Sequence, residues 1–191
     1  MEETFRNKIG NDLKESQINW KVIILFIPIA FCTYIFHEFG HWIFGELLGN
    51  DMTLGLNNAS PKSGYFIDES HALWSAIGGP LFTIIQAFVF LLITWITQSI
   101  YAYSVAFFAI FSRFFSIVFG GINLQDEAGI ASMLDTDKYL IAAIVLTILF
   151  LILWRCNRMM RLNTKAVGYF TVLGTFAILI VIGVNELISM K

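Results

Sequence analysis

The sequence predicts an all-α polytopic membrane protein, with about five transmembrane helices and a short β-hairpin after the first. Two observations carry that expectation. Of the 191 residues, 57% are hydrophobic and 14% charged, where a soluble domain has about 45–50% and about 25%. The apolar residues also gather into five runs close to the ~20 residues needed to cross the hydrocarbon core. The mean hydropathy of +0.72 agrees.

Taken in order, residues 1–19 form a polar N-terminal segment of mixed charge, and residues 20–191 a single membrane domain. The first span covers residues 20–44 and is apolar until His37, Glu38 and His41. The mixed-charge residues before it are unlike a cleavable signal, so it is expected to remain as an anchor. A polar connection at residues 49–70 contains the turn formers Asn57, Asn58, Pro61 and Gly64, and its residues 63–67 are read as a hairpin strand. The second span, residues 71–96, opens near Gly78, Gly79 and Pro80. A short link leads to the third, residues 101–122. An acidic stretch reaches Asp137, followed by a rather short fourth span at residues 139–154 and a fifth at residues 167–188.

Single residues fill in this plan. The 19 phenylalanines read as lipid-facing bulk, and Trp20, Trp42, Trp95 and Trp154 as an interfacial belt. Gln86 is expected to bond between helices, and Arg113, in mid-span, to pair with an interior acid or backbone carbonyls and fix packing. Cys32 in an apolar run and Cys156 in a basic loop are read as free thiols. Arg155, Arg158, Arg161 and Lys165 share one loop with no acid, which marks it as cytoplasmic and, through alternating spans, puts the N-terminus there too. A net charge of −2 without a basic block excludes nucleic acid as a partner.

The chemistry is concentrated in His37-Glu38-Phe39-Gly40-His41. Residues four apart lie on one helix face a turn above one another, so His37 and His41 can grip one metal ion. Glu38 lies about 100° round the helix, near the ion's open side. There zinc lowers the pKa of a bound water and a carboxylate takes its proton. Ionisable residues inside a span each cost roughly 2.5–3.5 kcal/mol on insertion scales, so three within five residues argue for function.

A catalytic zinc usually has three protein ligands. The remaining candidates are His71, Asp68, Glu69, Asp126, Glu127, Asp135 and Asp137. His37 lies about 24 Å of helical rise into its span, toward the outer leaflet under the charge-derived orientation. The third span exits on that side and delivers Asp126, and Gly78-Gly79-Pro80 enters from it. Asp126 is therefore the favoured third ligand, with Glu127 and then His71 as alternatives.

These motifs resemble the site-2 protease family of zinc intramembrane metalloproteases. The resemblance rests on HEFGH at 37–41, IGGPLFT at 77–83 and INLQDEAGIASML at 122–134, in the family's order, across a catalytic core of about residues 20–135. It implies a Zn2+ cofactor on His37, His41 and Asp126, and Glu38 as the catalytic residue. The implied reaction is endoproteolysis of a transmembrane segment of a membrane protein, with membrane lipid as surroundings. Gly79, Pro80 and Asn123 correspond to substrate-binding positions, Asn123 being equally readable as a helix C-cap. Glu127 stands where the family usually has glycine. No peptide-binding insertion is present, which points to a partner protein or the membrane core for substrate selection. The rival is a non-catalytic, protease-like membrane regulator or scaffold with a structural zinc site, which would have no use for Glu38.

Overall fold

The computed structural model describes the backbone of residues 2–190 and the side chains of residues 7–188 and 190. Its elements run α1 (Glu2–Glu15), α2 (Trp20–Leu47), β1 (Met52–Leu54), β2 (Ala59–Pro61), α3 (Glu69–Thr97), α4 (Ile100–Phe119), a 3-10 turn (Ile122–Leu124), α5 (Asp126–Met133), α6 (Lys138–Met160) and α7 (Thr164–Ser189). Helices α2, α3, α4, α6 and α7 are long and apolar enough to cross a membrane. The chain is thus a multi-pass integral membrane protein, built almost wholly of helix. The fourth span is longer than its apolar run suggests, because α6 carries on through Arg155, Cys156 and Arg158 to Met160.

Helix starts follow local side-chain chemistry. Asn19, Asp68, Ser99, Asp137 and Asn163 each cap a span by accepting a backbone N–H two or three residues on. The polar N-terminal segment is itself helical as α1, and Lys165 Nζ donates to Asp12 Oδ1 at 2.8 Å, tying it to α7.

The hairpin exists, but earlier than the expected strand at residues 63–67. Met52 pairs with Pro61, Thr53 with Ser60 and Leu54 with Ala59, leaving residues 55–58 as the turn. Gly55, Asn57 and Asn58 set the reversal there, with Gly55 N–H donating to Asn58 O at 2.8 Å. Residues 63–67 instead form a loop, held where Ile67 N–H donates to Asn50 Oδ1 at 2.9 Å.

Helix α4 sits at the centre: 61% of its apolar window is buried, against 28–33% for the other spans. Its small residues Ala102, Ala106 and Ala109 let neighbours approach, and Tyr103, Phe107 and Phe108 fill the core against Phe26 and Phe170. Those four phenylalanines are fully buried, against the expectation of lipid-facing bulk. Edge-to-face contacts such as Phe26–Phe108, with centroids 6.2 Å apart, explain the choice of aromatic residues there. Gln86 Nε2 donates to Thr33 Oγ1 at 2.9 Å between α3 and α2, as expected of it. Cys32 and Cys156 are free thiols, with Cys156 buried in α6 rather than set in a loop.

Helices α2 and α3 pack most extensively, and their backbones nearly touch. A Cβ on Gly40 would strike the Gly78 carbonyl, and one on Gly78 would strike the Gly40 carbonyl. Only glycine at both positions permits this crossing. Gly78→Ala is expected to lower unfolding stability in detergent by about 1–3 kcal/mol through overpacking. Gly168→Ala, whose new methyl meets nothing within 4 Å, should leave it unchanged or raised. Equal stability of Gly78→Ala and the parent would contradict the close crossing.

Candidate metal centre

His37 and His41 lie one turn apart on α2, ring centroids 4.9 Å apart, and both turn toward α3. Their outer nitrogens have fixed partners. His41 Nδ1 lies 2.7 Å from the Ser75 carbonyl, which can only accept, so Nδ1 carries the proton. Thr83 Oγ1 gives its own proton to Gly79 O at 3.2 Å, so it accepts from His37 Nδ1 at 2.9 Å. Both Nε2 atoms therefore keep lone pairs, and those lone pairs face each other at 3.3 Å. This is the tautomer a metal ligand needs, set by outer partners as in metalloproteins generally.

Helix α3 supplies more than acceptors. A Cβ on Gly79 would collide with His41 Nε2 and lie 2.8 Å from His37 Cε1, so glycine leaves room for the two imidazoles. Pro80, next in the chain, removes one N–H from the helical ladder just beyond the Ser75 carbonyl that holds His41.

The carboxylate comes from the other side. After α4, Gly120 ends the helix and Gly121, at φ +88°, reverses the chain in a conformation suited to glycine. The 3-10 turn follows, and α5 begins at Asp126, with Asp126 and Glu127 in its first turn where the helix dipole favours negative charge. Asp126 Oδ2 lies 3.1 Å from His37 Nε2, and Oδ1 3.6 Å from His41 Nε2. Arg113 Nη2 donates to Asp126 Oδ2 at 2.9 Å. Burial works against ionisation of Asp126, while the Arg113 guanidinium beside it favours the charged form.

The three donor atoms fit a metal ion. A tetrahedral ion with bonds of about 2.0–2.1 Å spaces its donors about 3.3–3.4 Å apart. Here the two Nε2 atoms are 3.3 Å apart, Asp126 Oδ2 is 3.1 Å from His37 Nε2 and the other oxygen, Oδ1, is 3.6 Å from His41 Nε2, so the carboxylate faces both imidazoles within the range of one ion. His37, His41 and Asp126 also form a group of one-atom donors all within 4.8 Å of one another. Two lone pairs and a carboxylate so close repel unless a cation or proton lies among them.

Beside this group is a cavity of about 270 Å³, lined on its polar side by Thr33, Tyr34, Glu38, Ser112, Arg113 and Ser116. Glu38, 7% exposed, borders it together with His37 and Asp126, and the backbone of Ala59 in β2 approaches its carboxylate. Asn57, from the hairpin turn, reaches the same cavity.

The other sequence candidates lie elsewhere. His71 Nδ1 is 3.3 Å from Asn50 Nδ2. Asp68 and Asp137 cap α3 and α6, and Glu69 and Asp135 are exposed. Glu127 is fully buried against Arg113. Asn123 is exposed in the 3-10 turn and accepts from Lys138 Nζ at 3.1 Å, neither capping α4 nor bordering the cavity. Gly79 is buried against the histidines, and Pro80 is buried next to it in α3. Arg113 pairs with interior acids as expected of it, and these are Glu127 and Asp126, into which its own helix exits.

No protein-family model, curated protein or solved structure matches this chain. The site itself must therefore carry the functional argument.

Thr83→Val keeps the side-chain shape but removes the acceptor that fixes the His37 tautomer. Zinc affinity, measured by chelator competition, should fall about 10- to 100-fold with the helical content unchanged. An unaltered affinity would show that Thr83 has no part in orienting the ring.

Proposed function

We propose that the chain is a zinc-dependent intramembrane endopeptidase of the site-2 protease kind. One observation carries the reading: two Nε2 lone pairs and the Asp126 carboxylate, drawn from two helices, lie within reach of one ion, and His37 and Asp126 border a polar cavity together with Glu38. His37, His41 and Asp126 would hold the ion. When bound, a zinc ion supplies Lewis acidity, polarising a water and a peptide carbonyl.

The remaining work falls to the chain's own groups. Glu38 takes a proton from the attacking water and returns it to the leaving amine. Ser75 and Thr83 keep the imidazoles in register. Thr33, Tyr34, Ser112 and Ser116 give the cavity walls that tolerate water and an exposed peptide backbone. The substrate is a transmembrane segment locally unwound, since a regular helix keeps its carbonyls in its own hydrogen bonds. A structural zinc would need no unliganded carboxylate at the cavity, and Glu38 favours catalysis over a scaffold role. Arg155, Arg158, Arg161 and Lys165 support a cytoplasmic N-terminus and an active site toward the opposite leaflet.

Glu38→Gln should lower cleavage of a membrane-anchored reporter by about 10²- to 10⁴-fold while zinc content is retained. His37→Ala should remove both. Cleavage that survives Glu38→Gln would end the protease reading.

A further inference from the structure

Resting on that metal-site reading, we propose that Arg113 and Glu127 form a buried positioning clamp. It orients Asp126 and keeps its negative charge directed at the histidine pair. Neither residue is a ligand. Their hydrogen bonds form a chain: Arg113 Nε donates to Glu127 Oε1 at 2.7 Å, and Nη2 donates both to Glu127 Oε2 and to Asp126 Oδ2, the latter at 2.9 Å. The guanidinium is planar, so two bonds to Glu127 fix its plane and leave the second Nη2 proton one direction in which to point. That direction is Asp126.

Charge gives the second half of the argument. Arg113 is 7% exposed and Glu127 fully buried. Alone beside Asp126, the guanidinium would consume that carboxylate as its counter-ion and repel a metal cation. Glu127 supplies the counter-charge instead, so Asp126 is held by Arg113 without being neutralised by it. The residue that departs from the family's usual glycine thereby has a role. It sits in the first turn of α5 beside the ligand, reaching back to the helix from which the chain has just emerged.

The test uses the full-length chain purified in detergent, with zinc affinity from chelator competition and the visible d–d spectrum of the cobalt(II)-loaded protein. Glu127→Gln keeps the shape but leaves the Arg113 charge to Asp126. Zinc should bind about 10- to 100-fold more weakly and the cobalt bands should change in position or intensity. Because a single change leaves one buried charge unmatched, Arg113→Gln/Glu127→Gln removes both and safeguards the fold. Asp126 loses its anchor in that protein too, so affinity should stay below the parent's and the cobalt spectrum should stay altered. A folded double variant with the parent's affinity and spectrum would overturn the clamp and leave the pair a packing feature. A parent that binds no zinc would overturn the metal reading itself, and the clamp with it.

Discussion

Charge buried among apolar helices must be matched on the spot, and that constraint organises this molecule. Asp126 and Glu127 share a single guanidinium, that of Arg113, with Arg113 and Glu127 buried and Asp126 partly open toward the cavity. Two carboxylates against one cation leave a negative charge at the histidine pair, where imbalance is costly. With both imidazoles neutral, a cation held between Asp126 and the two Nε2 lone pairs would offset it. The proposed zinc is thus favoured by the electrostatics of the whole cluster as well as by the spacing of its donors.

The helices are arranged to bring that cluster about. Glycine against glycine at the crossing of α2 and α3 sets the two backbones close enough for Ser75 and Thr83 to fix the histidine rings from behind. Central α4 carries Arg113 inward, and Gly121 turns the chain so that α5 points its first residue at the same spot. Asp126 therefore belongs electrically to both halves of the fold. It faces the histidines of α2 on one side and the arginine of α4 on the other.

Much of this was legible in the residues. Five apolar runs give the spans, and the four-residue histidine spacing with a carboxylate beside it marks the site. Depth favours Asp126 and its neighbour Glu127, because the third span exits near the histidines, and of the two it is Asp126 that faces them. What escaped depended on partners distant in sequence. Phenylalanine reads the same whether it faces lipid or core, so Phe26, Phe107, Phe108 and Phe170 were misread. The hairpin moved because Asn57-Asn58 competed with Pro61 and Gly64 as turn formers over a few residues, and periodicity has little force in strands of three. Asn123 found Lys138, a lysine fifteen residues on that no spacing rule singles out.

X-ray absorption at the zinc edge of the purified, zinc-loaded protein tests the central claim most directly. The account requires a light-atom shell of nitrogen and oxygen at about 2.0–2.1 Å with the imidazole scattering of two histidines. That imidazole signature should disappear when His37 and His41 are both replaced by alanine. Sulfur at about 2.3 Å, or the same spectrum from the double alanine variant, would place the metal elsewhere and contradict the account.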